Sequence, residues 1–211
     1  MQFEELHNIY VSTFPLESNK QIEVFINHIK EMLRNDNRYH LYAALDEDGT
    51  MIGISLLYVF EYLKMALLDY MAVITNFRRR GIGRSLFEFI HEDLNRLIPE
   101  NIGMLLEVPM ENVFDSDEQL IRKKRIQFYS RLGVKVLKGV DYLLPLQRDK
   151  GIEEMYLMIK PSKNVTSMTK ESLADFIHSV YVNVYDYKET DLLTKTVTNL
   201  PEIVEIEELK V

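Results

Sequence analysis

The sequence predicts a mixed α/β protein built around one core sheet, and three observations carry that expectation. Residues 39–45 and 51–60 are apolar stretches joined by Asp46-Glu47-Asp48-Gly49, whose Asp-Gly pair suits a hairpin turn. Residues 65–73 form a third stretch, dense enough in apolar side chains for a strand buried on both faces. After Gly81, the residues Ile82, Leu86, Phe89, Ile90, Leu94 and Leu97 fall on one helical stripe able to cover a sheet.

Two helices are expected before the hairpin. One covers residues 2–13 and ends at Phe14-Pro15; the other covers 19–34, with Ile22, Phe25, Ile26, Ile29 and Leu33 at helical spacing. Downstream, residues 102–108 read as a short strand. Ser116, with Gln119 three residues later, makes a capping box for a helix that runs to Leu132, where Gly133 suits a left-handed cap. Residues 134–137 and 155–159 read as late strands, separated by a loop containing Pro145 and Gly151. The expected domain therefore spans 1–160, followed by an extension over 161–211. In the extension, Thr169 can cap a helix whose Leu173, Phe176, Ile177, Val180, Tyr181 and Val184 form an apolar stripe. That helix either packs on the same domain, closing the end of the sheet, or makes a homodimer contact. Residues 202–210 alternate Ile203, Val204, Ile206 and Leu209 with glutamates, as an edge strand or a tail would.

Composition narrows the chemistry. With 46% hydrophobic and 27% charged residues, the 211-residue chain has the makeup of a folded protein rather than a disordered one. The absence of cysteine excludes disulfides, thiolate metal sites and a cysteine nucleophile. The five histidines form no HxH or HxxxH pair, so no metal site is expected. A net charge of −8 argues against general nucleic-acid binding, which needs a basic face, and would suit a cationic substrate. Residues 1–10 lack the basic start and apolar core of a signal peptide, and residues 51–60 are about half the length of a membrane span. A cytoplasmic protein without a membrane segment is expected.

The informative run is residues 67–84, in which a buried strand ends, a basic turn with two glycines follows, and an amphipathic helix begins. The first turn of a helix leaves N–H groups without partners, and the macrodipole makes that end positive. Gly81 and Gly83 let a diphosphate approach the backbone, and Arg79, Arg80 and Arg84 would add charge-assisted contacts. Other phosphate motifs fit less well. A dinucleotide fingerprint needs glycine where Leu86 stands, and the P-loop's Gly-Lys-Ser/Thr ending is missing. A basic surface turn before an ordinary helix is the plainer alternative.

Arg78-Arg79-Arg80-Gly81-Ile82-Gly83 resembles the Q/R-x-x-G-x-G/A signature of GNAT acetyltransferases, set between strand and helix as in that family. Phe128-Tyr129-Ser130-Arg131-Leu132-Gly133-Val134 is similar to the family's F-Y-x-x-x-G-F helix ending, Leu106-Glu107-Val108 to its L-E-V strand, and Asn112 sits near an asparagine that often follows. The resemblance covers residues 39–160 and implies a GNAT-like acyl-CoA N-acyltransferase fold, a mostly antiparallel central sheet flanked by helices. It further implies an enzyme that moves acetyl from acetyl-CoA to an amine acceptor. By the same resemblance, Met71, Ala72 and Val73 would hold the pantetheine arm by main-chain bonds, and Arg78 to Arg84, Ile82 included, would hold the pyrophosphate.

Three site roles follow from the resemblance. Tyr129 matches a tyrosine that protonates the departing CoA thiolate, although a core aromatic beside Phe128 would look the same. Glu107 matches a glutamate used as general base, with a solvated strand residue as the alternative. Asp69, on the face of Met71 and Val73, is the second candidate base or else a hydrogen-bonded structural aspartate. Two departures accompany the match. The family's first strand is missing, a place the alternating C-terminal segment would have to fill. About sixteen residues separate Asn112 from Tyr129, and they include the cluster Arg122-Lys123-Lys124-Arg125, either a solvated helix face or a contact for the CoA 3′-phosphate. A non-catalytic acyl-CoA sensor would carry the same cofactor motif.

Overall fold

The computed structural model describes residues 9, 26–27, 29–31, 33–34, 36–145, 152–187 and 190–209. Two units divide the chain, Met1–Phe60 with Leu68–Pro99, and Glu61–Leu67 with Glu100–Val211. The elements form a mixed α/β arrangement of mostly antiparallel strands with flanking helices.

In the first unit, β1 (Tyr39–Leu45) and β2 (Met51–Phe60) make the expected hairpin, in register from Tyr39↔Tyr58 to Ala44↔Gly53 and shifted by one residue at Leu45↔Met51. Its turn is closed by the Asp46 side chain, which accepts from the N–H groups of Asp48 at 3.1 Å and Thr50 at 2.8 Å. Gly49 then takes a φ of 81°, a conformation a side chain would disfavour. Every residue of β2 is buried, as a strand covered on both faces requires. Strand β3 (Met65–Val73) ends in this unit, and helix α1 (Ile82–Leu97) lies against β1 and β2. Its inward stripe is Leu86, Phe87, Ile90 and Leu94, while Phe89 and Leu97 are exposed. The expected Phe89 is thus replaced by Phe87, and Phe89 instead meets the ring of Tyr42 edge-on at 6.0 Å. Before the hairpin, the described residues from 26 to 34 are helical, with Ile26 and Ile29 buried. Apart from Ile9, the helix expected over 2–13 lies outside the described residues, as do the first turns of the second.

In the second unit, Met65–Leu67 of β3 run parallel to residues 103–105 of β4 (Gly103–Pro109). Strand β4 pairs antiparallel with β7 (Ile152–Pro161) from Gly103↔Pro161 to Pro109↔Met155. Strands β5 (Lys135–Leu137) and β6 (Tyr142–Pro145) pair with successive parts of β7. Helix α2 (Ser116–Arg131) lies beside β4, and Gly133 at φ 75° follows its end as expected. The start differs by one residue. Asp115, not Ser116, is the N-cap, and its carboxylate accepts from the Glu118 N–H at 2.8 Å.

The segment after residue 161 is a working part of this unit. It supplies β8 (Ser167–Thr169), α3 (Lys170–Asn183), α4 (Thr190–Thr198) and β9 (Ile203–Glu207). Thr169 caps α3 as expected, accepting from the Ser172 N–H, and all six residues of the expected apolar stripe are buried. Strand β9 is neither edge nor tail. It pairs with β5 on one side and β8 on the other. It therefore does not stand in for a strand beside the β1–β2 hairpin.

Gly103 explains why β4 and β7 can run so close. A Cβ there would stand 2.6 Å from the Lys160 carbonyl oxygen, against backbone that cannot move without disturbing the ladder. Gly103→Ala is expected to lower unfolding free energy by about 1–3 kcal/mol, measured by urea denaturation.

Candidate acyl-CoA site

The turn after β3 is built to leave a helix start open. A single 3-10 turn, Thr75–Phe77, follows the strand, and the chain then passes through left-handed conformations at Arg79 (φ 64°) and Gly81 (φ 85°). Gly81 is the N-cap of α1, and no side chain caps the helix. The first-turn N–H groups are therefore left to solvent or ligand. A Cβ on Gly81 would meet nothing within 4 Å, and residues 78–81 are exposed. No acidic residue lies in the first turn of α1.

Three of the four arginines are secured by a neighbour. Arg78 donates from Nε to the Val73 carbonyl at 2.9 Å, so part of its charge serves the end of β3. The Arg80 guanidinium lies 5.1 Å from the Phe77 ring centroid, and Arg84 pairs with Glu88 at 3.4 Å. The donor set suits an anionic diphosphate: unpaired N–H groups, a positive helix end and guanidiniums within a few residues. Ile82 and Gly83 are half-buried at the start of α1, and Met71 and Val73 are half-buried on β3 with Ala72 buried between them.

Asp69 lies in the same unit as this turn. Burial pushes its carboxyl up to about 6 from the ordinary 3.8. That value falls where a group can accept a proton near neutrality.

The second unit holds Glu107, Tyr129 and Asn112. Glu107 lies on β4 opposite Leu157 of β7. Its Oε1 accepts the hydroxyl of Tyr142 and its Oε2 the hydroxyl of Tyr185. Glu107 is thus a held group rather than a solvated one. Tyr142 is buried, and that burial, with the Glu107 charge adding to it, pushes its phenol well above the ordinary range. Tyr129 is half-buried near the end of α2, its ring 5.2 Å from that of Phe128. Burial pushes its phenol up to about 12, with Arg125 opposing. Asn112 is exposed in the loop between β4 and α2. In the basic cluster, Arg122 is committed to structure. It pairs with Glu118 at 2.8 Å and Glu153 at 3.1 Å and donates to the Met110 carbonyl. Tyr142 and Tyr185 are not expected from the sequence; the crowding of Tyr181, Tyr185 and Tyr187 is a signal for Tyr185 alone. Among the described residues, no group of three His, Cys, Asp or Glu side chains is placed to hold a metal. No described helix is long and apolar enough to cross a membrane.

Known proteins resemble this chain in sequence over one stretch and in fold over most of its length. Residues 37–136 match the family model described as an acetyltransferase (GNAT) domain. Solved structures share the fold. A protein assigned to the GNAT family from Bacteroides thetaiotaomicron aligns with a TM-score of 0.60 at 21% identity, over 77% of this chain and 81% of that one. The ribosomal-protein-S18-alanine N-acetyltransferase from Escherichia coli aligns at 0.51 and 19%, over 78% and 94%. An aminoglycoside 6′-N-acetyltransferase complexed with coenzyme A aligns at 0.52 and 16%, over 74% and 88%. No curated protein sequence matches.

Asp69 also has a consequence for stability. Its raised value means the folded state holds this proton more tightly than the unfolded chain does. Ionising it between about pH 4 and 6 therefore costs stability, and above pH 6 the penalty is complete. Asp69→Asn is expected to be more stable than wild type at pH 7.5 by roughly 1–3 kcal/mol. Urea denaturation should show that difference shrinking toward zero below pH 4.

Proposed function

We propose that this protein transfers the acetyl group of acetyl-CoA to a primary amine by direct attack in a ternary complex. The observation that carries the reading is the uncapped, arginine-flanked start of α1 within the stretch that matches the GNAT domain model. The N–H groups of residues 82–84, with Arg79, Arg80 and Arg84, bind the diphosphate of the donor. The main chain of Met71 to Val73 binds its pantetheine arm and meets the oxyanion that forms at the thioester carbonyl. Asn112 contributes to the same donor.

The chemistry needs a base because a protonated amine has no lone pair to attack with. Glu107 takes one proton from the ammonium, directly or through water, so that the neutral amine attacks, and the second N–H proton passes to water once the C–N bond has formed. The tetrahedral centre then collapses with loss of the C–S bond, and Tyr129 donates a proton to the leaving sulfur. A phenol pushed up to about 12 stays protonated over the whole working range, so the donor form is always present. The amide product and CoA leave, and water restores the proton to Tyr129 and removes the one on Glu107. Asp69 supports a second assignment of the base, because burial already brings its carboxyl to about 6. The acceptor is a cationic primary amine, in keeping with the net charge of −8.

Calorimetric titration with acetyl-CoA tests the donor site. Gly83→Glu, which sets a carboxylate at the helix start, is expected to weaken binding at least about tenfold. Equal binding by both proteins sinks the placement of the diphosphate.

CoA release is to be followed with a panel of amines: a diamine, an aminoglycoside, an amino acid amide and a short peptide with a free N-terminus. Steady release establishes turnover, whereas tight donor binding without release on any amine means a sensor. Glu107→Gln is expected to lower kcat by roughly 10²–10⁴-fold. If Asp69 is the base, that loss appears in Asp69→Asn instead, and the wild-type acid limb of kcat/KM falls near pH 6. Tyr129→Phe is expected to lower kcat at least about tenfold while acetyl-CoA affinity stays within a factor of two. An unchanged kcat returns Tyr129 to a packing role.

A further inference from the structure

The carboxylate of Glu107 is gripped by two phenols from distant parts of the chain. Tyr142 comes from β6 and reaches Oε1; Tyr185 comes from the turn just past α3 and reaches Oε2. A second rank secures the first. Tyr181 on α3 presents its ring edge to Tyr142, centroids 6.1 Å apart, and gives its hydroxyl hydrogen to the carbonyl of Leu143. Tyr187 sits edge-on to Tyr181 at 5.8 Å. The turn that presents Tyr185 is itself tied back to α3, through Tyr185 N–H to Val180 O at 3.2 Å and Tyr187 N–H to Tyr181 O at 2.8 Å. Tyr142 and Tyr181 are 1% and 0% exposed, so neither ring has room to swing away.

Apolar side chains could join this segment to β4 without desolvating a charge, so a bare mechanical tie does not explain the choice. What two donors on two oxygens achieve is orientation. A glutamate has three side-chain torsions, and a base must lie within hydrogen-bond reach of the proton it takes. Locking it by surrounding hydrogen bonds supplies that aim.

We propose that Tyr142 and Tyr185 are positioning residues for Glu107, fixing its carboxylate by both oxygens in the attitude from which it accepts the amine proton. The segment after α3 thereby contributes to catalysis. This rests on the reading of Glu107 as the base. The phenols keep their own hydrogens throughout; the proton from the amine goes to Glu107, and no bond to either tyrosine forms or breaks. Titratable side chains that interact with Glu107 include Tyr142, Tyr181 and Tyr185.

The test compares Tyr142→Phe and Tyr185→Phe with wild type in two ways. Carbon-13 NMR on glutamate-labelled protein, with the Glu107 carboxyl assigned through Glu107→Gln, reads the clamp without any acceptor. Each variant removes a hydrogen bond that favours the ionised form, so the Glu107 midpoint is expected to rise by about one pH unit. Kinetics use acetyl-CoA and the panel amine that gives the fastest CoA release. There kcat should fall roughly ten- to a hundredfold, KM for acetyl-CoA should hold within a factor of two, and the acid limb should move with the NMR midpoint. An unmoved midpoint in both variants overturns the proposal, as does wild-type kcat in both with only a lowered melting temperature. Should Tyr185→Phe fail to fold, Tyr142→Phe on β6 carries the same readouts. Full activity in Glu107→Gln removes the base reading and this inference with it. An inactive Glu107→Gln beside two fully active tyrosine variants removes the inference alone.

Discussion

A sixteen-residue helix that begins without a side-chain cap concentrates positive potential at its first turn, and the proposed donor site depends on that end staying open. The local sequence is arranged to keep it so. Most helices meet their first N–H groups with a Ser, Thr, Asp or Asn cap, as α2 does with Asp115 and α3 with Thr169. Helix α1 has Gly81 instead, turned left-handed, with Arg79 left-handed two residues before it. A non-glycine residue at positive φ costs on the order of 1 kcal/mol, so the turn is strained where the ligand would bind. The three neighbouring guanidiniums are held by a carbonyl, a ring and an i,i+4 glutamate, which keeps positive charge near the turn on a chain whose net charge is −8. An anion would be drawn to that spot over the rest of the surface.

How far the sequence could be read depended on whether local pattern or distant pairing decided the structure. The bounds of β1, β2 and β3 were legible to the residue, because alternation, two-sided burial and an Asp-Gly turn are local signals. The apolar stripe of α3 was legible for the same reason. Strands β6 and β8 were not. Tyr142–Pro145 ends in a proline, Ser167–Thr169 is three residues long, and each is a strand only because a partner ladder is already there. The α2 cap was misplaced by one residue because Asp115–Glu118 and Ser116–Gln119 are both capping patterns, and nothing in their spacing ranks them. Phe89 was expected inward because Phe87 and Phe89 lie to either side of the stripe's edge, and the neighbouring Tyr42 and Arg96 give Phe89 partners at the surface.

The candidate bases illustrate two ways of treating a carboxylate. Asp69 is desolvated, which disfavours its charge and moves its titration toward neutrality. Glu107 is hydrogen-bonded at both oxygens, which fixes its direction and favours its charged form. A titration near neutrality does not by itself make Asp69 the better base, because a base must also lie within reach of the proton it takes. What favours Glu107 is aim, because among the described residues two phenols hold its carboxylate. None of that was legible in advance, because Glu107, Tyr142 and Tyr185 are separated by 35 and 78 positions and share no spacing rule.

The same contacts change what residues 161–211 mean. Strand β9 fills the space between β5 and β8, and Lys138 after β5 bridges Glu205 and Glu207 across that junction. Removing the segment would expose the edge of β5 and strip the covering from Tyr142 as well as the Tyr185 donor. The cost would fall on packing first, since exposed ion pairs such as those of Lys138 contribute little. Loss of Tyr185 would then act on the proposed catalytic carboxylate, which lies well before the segment in sequence. A stretch that reads as an appendage along the chain is, by its hydrogen bonds, continuous with the strand that bears Glu107.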